Sequence, residues 1–196
     1  MSGMPDLKLI AAAKQIAAVA FDVDGVFTDN RVCDEMPQLK FRSYYDGQGV
    51  SLLRAIGIRV ALVSNEKGDW LQKLVDKWNS LLSSKSENNP TGWEHVRLFT
   101  SRSGLRKVEA IEEWLKEIAV PWEKCAAMGD DLVDAPLLLK AGLIAVPATA
   151  DETIKEICLK NNGFVSTRLG GNGAVRDFAN FILKVRGINP LGLPPN

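Results

Sequence analysis

The chain has 196 residues, 46% of them hydrophobic and 24% charged, which suits one soluble globular domain that buries its core without staples. Its 24 basic and 24 acidic side chains cancel, so no global field marks it for nucleic acid or a membrane surface, and an anionic substrate must be held by local groups. Cys33, Cys125 and Cys158 are odd in number and lack metal-ligand spacing, which reads as free thiols in a reducing cytosol.

The first apolar stretch, Leu9 to Ala20, is broken by Lys14 and Gln15 and runs directly into Phe21-Asp22-Val23-Asp24. It reads as a short helix feeding a buried strand at Ala17 to Val23, without the cleavage site of a signal peptide. No other stretch approaches the roughly 20 apolar residues of a membrane span, so a cytoplasmic protein is expected. Arg31 to Cys33 and Lys40 to Ser43, flanking Pro37, predict a small β-hairpin flap. Val50 to Ile56 has helical spacing, Arg59 to Ser64 is rich in β-formers, and Trp70, Leu71, Leu74, Val75 and Trp78 recur at helical intervals. Strands then fall at Val96 to Phe99, Cys125 to Met128, Leu143 to Val146 and Phe164 to Ser166. Helices alternate with them at Leu105 to Ile118, Asp131 to Ala141, Glu152 to Leu159 and Ala174 to Val185. This alternation predicts an α/β fold, a three-layer Rossmann-like arrangement with a central parallel sheet and helices on both faces. Ser80 to Gly92 is rich in Ser and Asn, without periodicity, and the 80–103 region is expected to be an extended loop. Residues 1–186 form one expected domain, and the proline-containing segment 187–196 an expected flexible tail.

In a parallel α/β sheet, ligands bind beyond the carboxyl ends of the strands, so polar residues directly after apolar runs are the ones to weigh. The first strand ends in Asp22-Val23-Asp24-Gly25, the second in Ser64-Asn65, and a later one in Gly129-Asp130-Asp131 with Asp134 beyond. Clustered carboxylates at a hydrophobic exit are costly unless paired or metal-bound. Lys107 lies in the first turn of a helix, where the dipole disfavours a cation. Together these groups fit phosphoryl transfer, with a carboxylate nucleophile, charge neutralisation and a proton for the leaving oxygen. Asp22, Asp130 and the main-chain carbonyl of Asp24 suit Mg²⁺, and Ser64 and Lys107 suit the remaining phosphate oxygens. Asp24 suits the acid/base role. Plainer readings stand beside these. Arg106 competes with Lys107, Asp131 reads as a helix cap, Asp134 as an orienting partner of Lys107, and Glu66-Lys67 as an exposed turn.

Phe-Asp-Val-Asp-Gly-Val-Phe-Thr-Asp at 21–29, Ser64, Lys107 and Gly129-Asp130-Asp131-Leu-Val-Asp134 resemble the four motifs of the haloacid dehalogenase superfamily, in order and spacing. Asp46-Gly47-Gln48-Gly49 and the Gly170 to Asp177 segment resemble its subgroup of 3-deoxy-D-manno-octulosonate 8-phosphate (KDO 8-phosphate) phosphatases and their sialic-acid relatives. The resemblance implies Asp22 as nucleophile, Asp24 as acid/base, and a magnesium site at Asp22, Asp24 and Asp130. It also implies no cap domain, a small anionic sugar phosphate as substrate, and a homotetramer in which a neighbouring subunit closes the active site. Asp46, Gly47, Asn65, Glu66 and Arg176 are the expected substrate-binding residues.

The chain departs from the octulosonate pattern, which typically has Arg-Asp-Gly at Tyr45-Asp46-Gly47, an arginine near Ser51 and Gly-Arg at Asn65-Glu66. These departures resemble the nine-carbon branch, which handles acids such as ketodeoxynonulosonate (KDN) 9-phosphate, and the reading leans that way. Two other functions compete: a non-catalytic oligomerisation domain like that of animal sialic-acid cytidylyltransferases, and a promiscuous sugar-phosphate phosphatase. Retention of both Asp22 and Asp24 speaks against the first of these.

Overall fold

The computed structural model describes residues 6–36 and 39–193. Thirteen helices and strands alternate along them: α1 (Leu7–Gln15), β1 (Ala18–Phe21), α2 (Tyr44–Ala55), β2 (Arg59–Val63), α3 (Asp69–Asn79), β3 (Arg97–Phe99), α4 (Leu105–Glu117), β4 (Cys125–Met128), α5 (Ala135–Lys140), β5 (Leu143–Val146), α6 (Glu152–Lys160), β6 (Phe164–Val165) and α7 (Ala174–Val185). The six strands form one parallel sheet in the order β3-β2-β1-β4-β5-β6. The chain winds outward from β1 in one direction and then from β4 in the other. Crevices at such a reversal are where open α/β sheets hold ligands.

Strand periodicity sorts the core into two layers. Val19 and Phe21 face a cluster with α1, α2, α3 and α7, where Leu53, Leu71, Trp78, Val175 and Phe178 pack. Ala18 and Ala20 face the opposite cluster, built by Ile111, Trp114 and Leu115 of α4, Leu137 and Leu138 of α5, and Ile154 and Cys158 of α6. Phe21 is fully buried edge-on against Phe27 and Phe178, a burial that contributes about 1.5–3 kcal/mol at such a position.

Several boundaries differ from expectation for identifiable reasons. β1 stops at Phe21, so Asp22 and Val23 already belong to the loop that carries the acids. α2 starts six residues before Val50, because Ser43 caps it by accepting the Tyr45 N–H at 3.1 Å. Gly47 and Gly49 lower helix propensity, and the close packing of α2 on α7 overrides it. A Cβ on Gly49 would lie 2.9 Å from the Arg176 Cα. The expected helix from Asp131 divides into a 3₁₀ turn at Leu132–Asp134 and α5, which opens with Pro136 near its first position. Among the described residues the flap is a loop with one antiparallel bridge, Thr28 to Arg42, and no ladder of paired strands. Its apolar members Val32 and Phe41 are exposed, so no buried face holds a register there, and Pro37 itself lies outside the described residues.

The loop after α3 is organised around a side chain of α2. Buried Arg54 donates to the Trp78 and Glu94 carbonyls and to Ser84 Oγ, each at 2.9 Å. Single bridges join Ser84 to Trp93 and Ser86 to Asn89. Residues 190–192 form a 3₁₀ turn capped by Asn189 within the expected tail, and 194–196 lie outside the described residues. No helix among the described residues is long and apolar enough to cross a membrane.

Candidate active site

The acids named from the sequence flank the reversal point of the sheet. Asp22 and Asp24 follow β1, Asp130 follows β4, and the Asp22 N–H donates to the Met128 carbonyl at 2.8 Å, prolonging the ladder just past the strand ends. The chain then turns at Gly25, whose φ of +77° favours glycine. A Cβ there would lie 1.9 Å from Asp130 Oδ2, so only glycine lets the two acidic loops pack this closely.

Lys107, in the first turn of α4, is 1% exposed and reaches inward. It donates to Asp22 Oδ1 and Asp134 Oδ1, both at 2.6 Å. Asp134 Oδ2 accepts the N–H groups of Asp130 (3.1 Å) and Asp131 (3.3 Å), so both its oxygens are engaged inside the protein. Asp134 therefore orients Lys107. Asp131 caps the turn that follows, accepting the Leu132 N–H at 2.7 Å. Arg106 is exposed and lines the outer cavity instead.

One ammonium faces three carboxylates, whose ligand atoms lie within 4.8 Å of one another. Burial, then the Asp134 charge, push Asp22 well above the ordinary carboxylate range, although Lys107 pulls the other way. Burial with Asp134 and Asp131 beside it pushes Asp130 up to about 7. Burial pulls Lys107 down, but Asp22 and Asp134 outweigh it and hold the amine above its usual value. The cluster is short of positive charge. Asp130 Oδ1 is buried and has no hydrogen-bond partner, an arrangement costly for a carboxylate on its own and suited to a cation. A hard divalent ion prefers such oxygens, and Asp22 and Asp130 are the carboxylates with capacity left for one.

Outward from this cluster, Asp24 Oδ1 accepts hydrogen bonds from Thr28 Oγ1 at 3.2 Å and Lys40 Nζ at 2.9 Å. Lys40 also donates to Glu66 Oε1 at 3.1 Å. Ser64 is buried at the end of β2, its Oγ accepting the Glu66 N–H at 3.0 Å. Asp24, Asn65, Glu66, Lys67, Ser101 and Arg106 line a polar cavity of about 590 Å³.

Three expected substrate-binding residues lie elsewhere in the chain. Asp46 is fully buried and its oxygens accept the N–H groups of Gly173, Val175 and Arg176, which ties α2 to the start of α7. Both of its oxygens are thus taken up by main-chain donors within the protein. Gly47 packs on the Trp78 indole, 3.3 Å from where its Cβ would be. Arg176 binds Gln48 and Asn180 and lines a separate hollow of about 460 Å³ with Tyr45, Arg168 and Asn172. Conversely, the sequence reading passed over Lys40 and Thr28. Thr28 stands inside the first acidic motif, whereas Lys40 begins an expected flap strand that the structure leaves irregular, and only its charge could have drawn notice.

Residues 7–163 match the family model described as haloacid dehalogenase-like hydrolase. The 3-deoxy-D-manno-octulosonate 8-phosphate phosphatase KdsC of Escherichia coli K12 is 29% identical over 181 residues, covering 91% of this chain and 85% of that one. Among solved structures, a protein of Xanthomonas campestris superposes with a TM-score of 0.78 at 27% identity, covering 95% of this chain and 94% of that one. The cobalt-bound deoxy-D-mannose-octulosonate 8-phosphate phosphatase of Haemophilus influenzae has a TM-score of 0.72 at 27% identity, with coverage of 90% and 92%.

Proposed function

The chain belongs to the haloacid dehalogenase-like hydrolase family and is a phosphatase, and from that premise we propose that it removes the terminal phosphate of a 3-deoxy-2-ulosonic acid of eight or nine carbons. The observation that carries this reading is the buried cluster of Asp22, Asp130 and Asp134 around Lys107, left short of positive charge beside a polar cavity. A purely structural module has no need of that arrangement.

In this reading Asp22 attacks phosphorus, the ester P–O bond breaks, and its electron pair goes to the leaving oxygen, which takes a proton from Asp24. The products of this half are a neutral alcohol and an aspartyl phosphate on Asp22. Water then attacks the same phosphorus, giving up a proton to Asp24, and phosphate leaves with the Asp22 carboxylate restored. Lys107 and Ser64 hold the phosphate oxygens that do not react. Asp22, Asp130 and the main-chain carbonyl of Asp24 would hold Mg²⁺. When bound, the ion neutralises charge on the carboxylates and the phosphoryl group.

Glu66 on the cavity wall supports a hydroxyl-rich substrate end beside the ester, because it accepts hydrogen bonds from hydroxyls and repels a carboxylate. Exposed Phe41, Tyr44 and Tyr45 supply an apolar surface that neighbouring subunits of the proposed homotetramer would cover. The test is kcat/KM for the eight- and nine-carbon acid phosphates against simple hexose phosphates, with Mg²⁺ and with excess chelator. The expected result is a strong preference for an ulosonic acid ester and silence in chelator. Equal rates on all esters would reduce the proposal to a promiscuous phosphatase, and hydrolysis in chelator would overturn the metal.

A further inference from the structure

We propose that Lys40 is a positioning residue for proton transfer at Asp24, and that its bridge to Glu66 couples the flap to departure of the alcohol. The inference deepens the functional reading above and rests on its assignment of Asp24. Among the described residues Lys40 is the only cation bonded to Asp24, at 2.9 Å, and the same ammonium reaches Glu66 at 3.1 Å. Its side chain is only 15% exposed although it comes from an irregular surface loop. Holding a flexible four-carbon stem inward costs rotamer entropy, which two charge-assisted hydrogen bonds offset. Asp24 and Glu66 both line the cavity, so the bridge crosses its wall.

The geometry has a chemical consequence. Thr28 and Lys40 both donate to Oδ1 of Asp24, which leaves Oδ2 to exchange the proton and fixes the carboxyl plane. As the ester bond breaks, its electron pair moves to the alcohol oxygen and the Oδ2 proton follows it. The carboxylate formed is then bonded to an ammonium already in place. In the second half, the proton taken from water returns to the same oxygen. Lys40 gains and loses nothing in either half.

A positioned acid matters in proportion to how poor the leaving group is. Sugar alkoxides need the proton, whereas a nitrophenolate leaves without one. The experiment compares Lys40→Met, Lys40→Arg, Asp24→Asn and Asp22→Asn on a sugar-acid phosphate and on p-nitrophenyl phosphate, with folding checked by circular dichroism. Lys40→Met is expected to lose about 10²-fold in kcat/KM, which reports the steps through departure of the alcohol, on the sugar ester and much less on the aryl ester. Asp24→Asn should follow the same split more severely, and Lys40→Arg should recover part of the loss. If Lys40→Met lowers both substrates equally, or neither, while Asp24→Asn discriminates, the inference about Lys40 falls and the functional reading stands. If Asp22→Asn remains active on both esters, the functional reading itself fails. Should Lys40→Met not fold, Lys40→Gln and Glu66→Gln carry the same comparison, and loss of the split in both overturns the coupling.

Discussion

Asp46, at the junction of α2 and α7, and Asp130, just after β4, are both buried carboxylates, 0% and 7% exposed. Asp46 receives three main-chain N–H groups, at 3.0, 2.9 and 3.2 Å, one at Oδ2 and two at Oδ1. Burial still raises its pKa, but those three donors oppose the rise. Asp130 has other carboxylates for neighbours and one oxygen with no partner at all. Burial alone therefore does not mark a site in this protein. The mark is a buried charge that the chain leaves unfinished, as at Asp130, whose Oδ1 has no partner and which the proposed cation and phosphate would complete. Arg54 makes the same point with the opposite sign, since neutral oxygens surround its guanidinium and burial lowers it to about 10.

The contrast breaks most readily at Asp130. Its pKa in the folded protein is about 7, against an ordinary 3.8, so the native state holds that proton more tightly than the unfolded chain does. The stability this contributes is complete below the ordinary value and is lost as pH rises through about 7. In metal-free protein, Tm measured by calorimetry is expected to carry a component that declines across that window and that Asp130→Asn removes. Added Mg²⁺ at about pH 8 should raise the wild-type Tm by mass action and leave the Asp130→Asn variant nearly unmoved. Identical profiles for both proteins would show that Asp130 is not the unfinished charge.

A smaller effect sharpens the other half of the comparison. Asp46→Asn removes the charge that three N–H groups share, at an expected cost of about 2 kcal/mol and a Tm drop of about 4–8 °C. The kcat of the folded variant should stay at the wild-type level, because main-chain N–H groups take up both oxygens of Asp46. A loss of kcat with unchanged Tm would return Asp46 to the substrate.

The sequence was most readable where a short apolar run ended in charge. Asp22, Ser64 and Asp130 follow strands whose boundaries were found within two residues, and parallel pairing alone brings such strand ends to one edge. Lys107 was legible for a related reason, as a cation misplaced at a helix start. The partners of Asp46 are main-chain N–H groups about 130 positions away, which no local pattern reports. Lys40 escaped for the opposite reason, since an irregular loop offers no period from which a side chain's direction follows. The non-periodic Ser80 to Gly92 stretch reads as a plain loop, and the residue that organises it, Arg54, belongs to α2, two elements before α3.

Phosphorylation of Asp22 is the step on which the whole account depends. Single-turnover reaction with a sugar-acid ester carrying radiolabelled phosphate, quenched in acid and mapped by peptide, looks for it directly. The account predicts transient label on the peptide holding Asp22, discharged by hydroxylamine and absent from a folded, inactive Asp22→Asn variant. Full turnover by Asp22→Asn, or label on a different peptide, would contradict it.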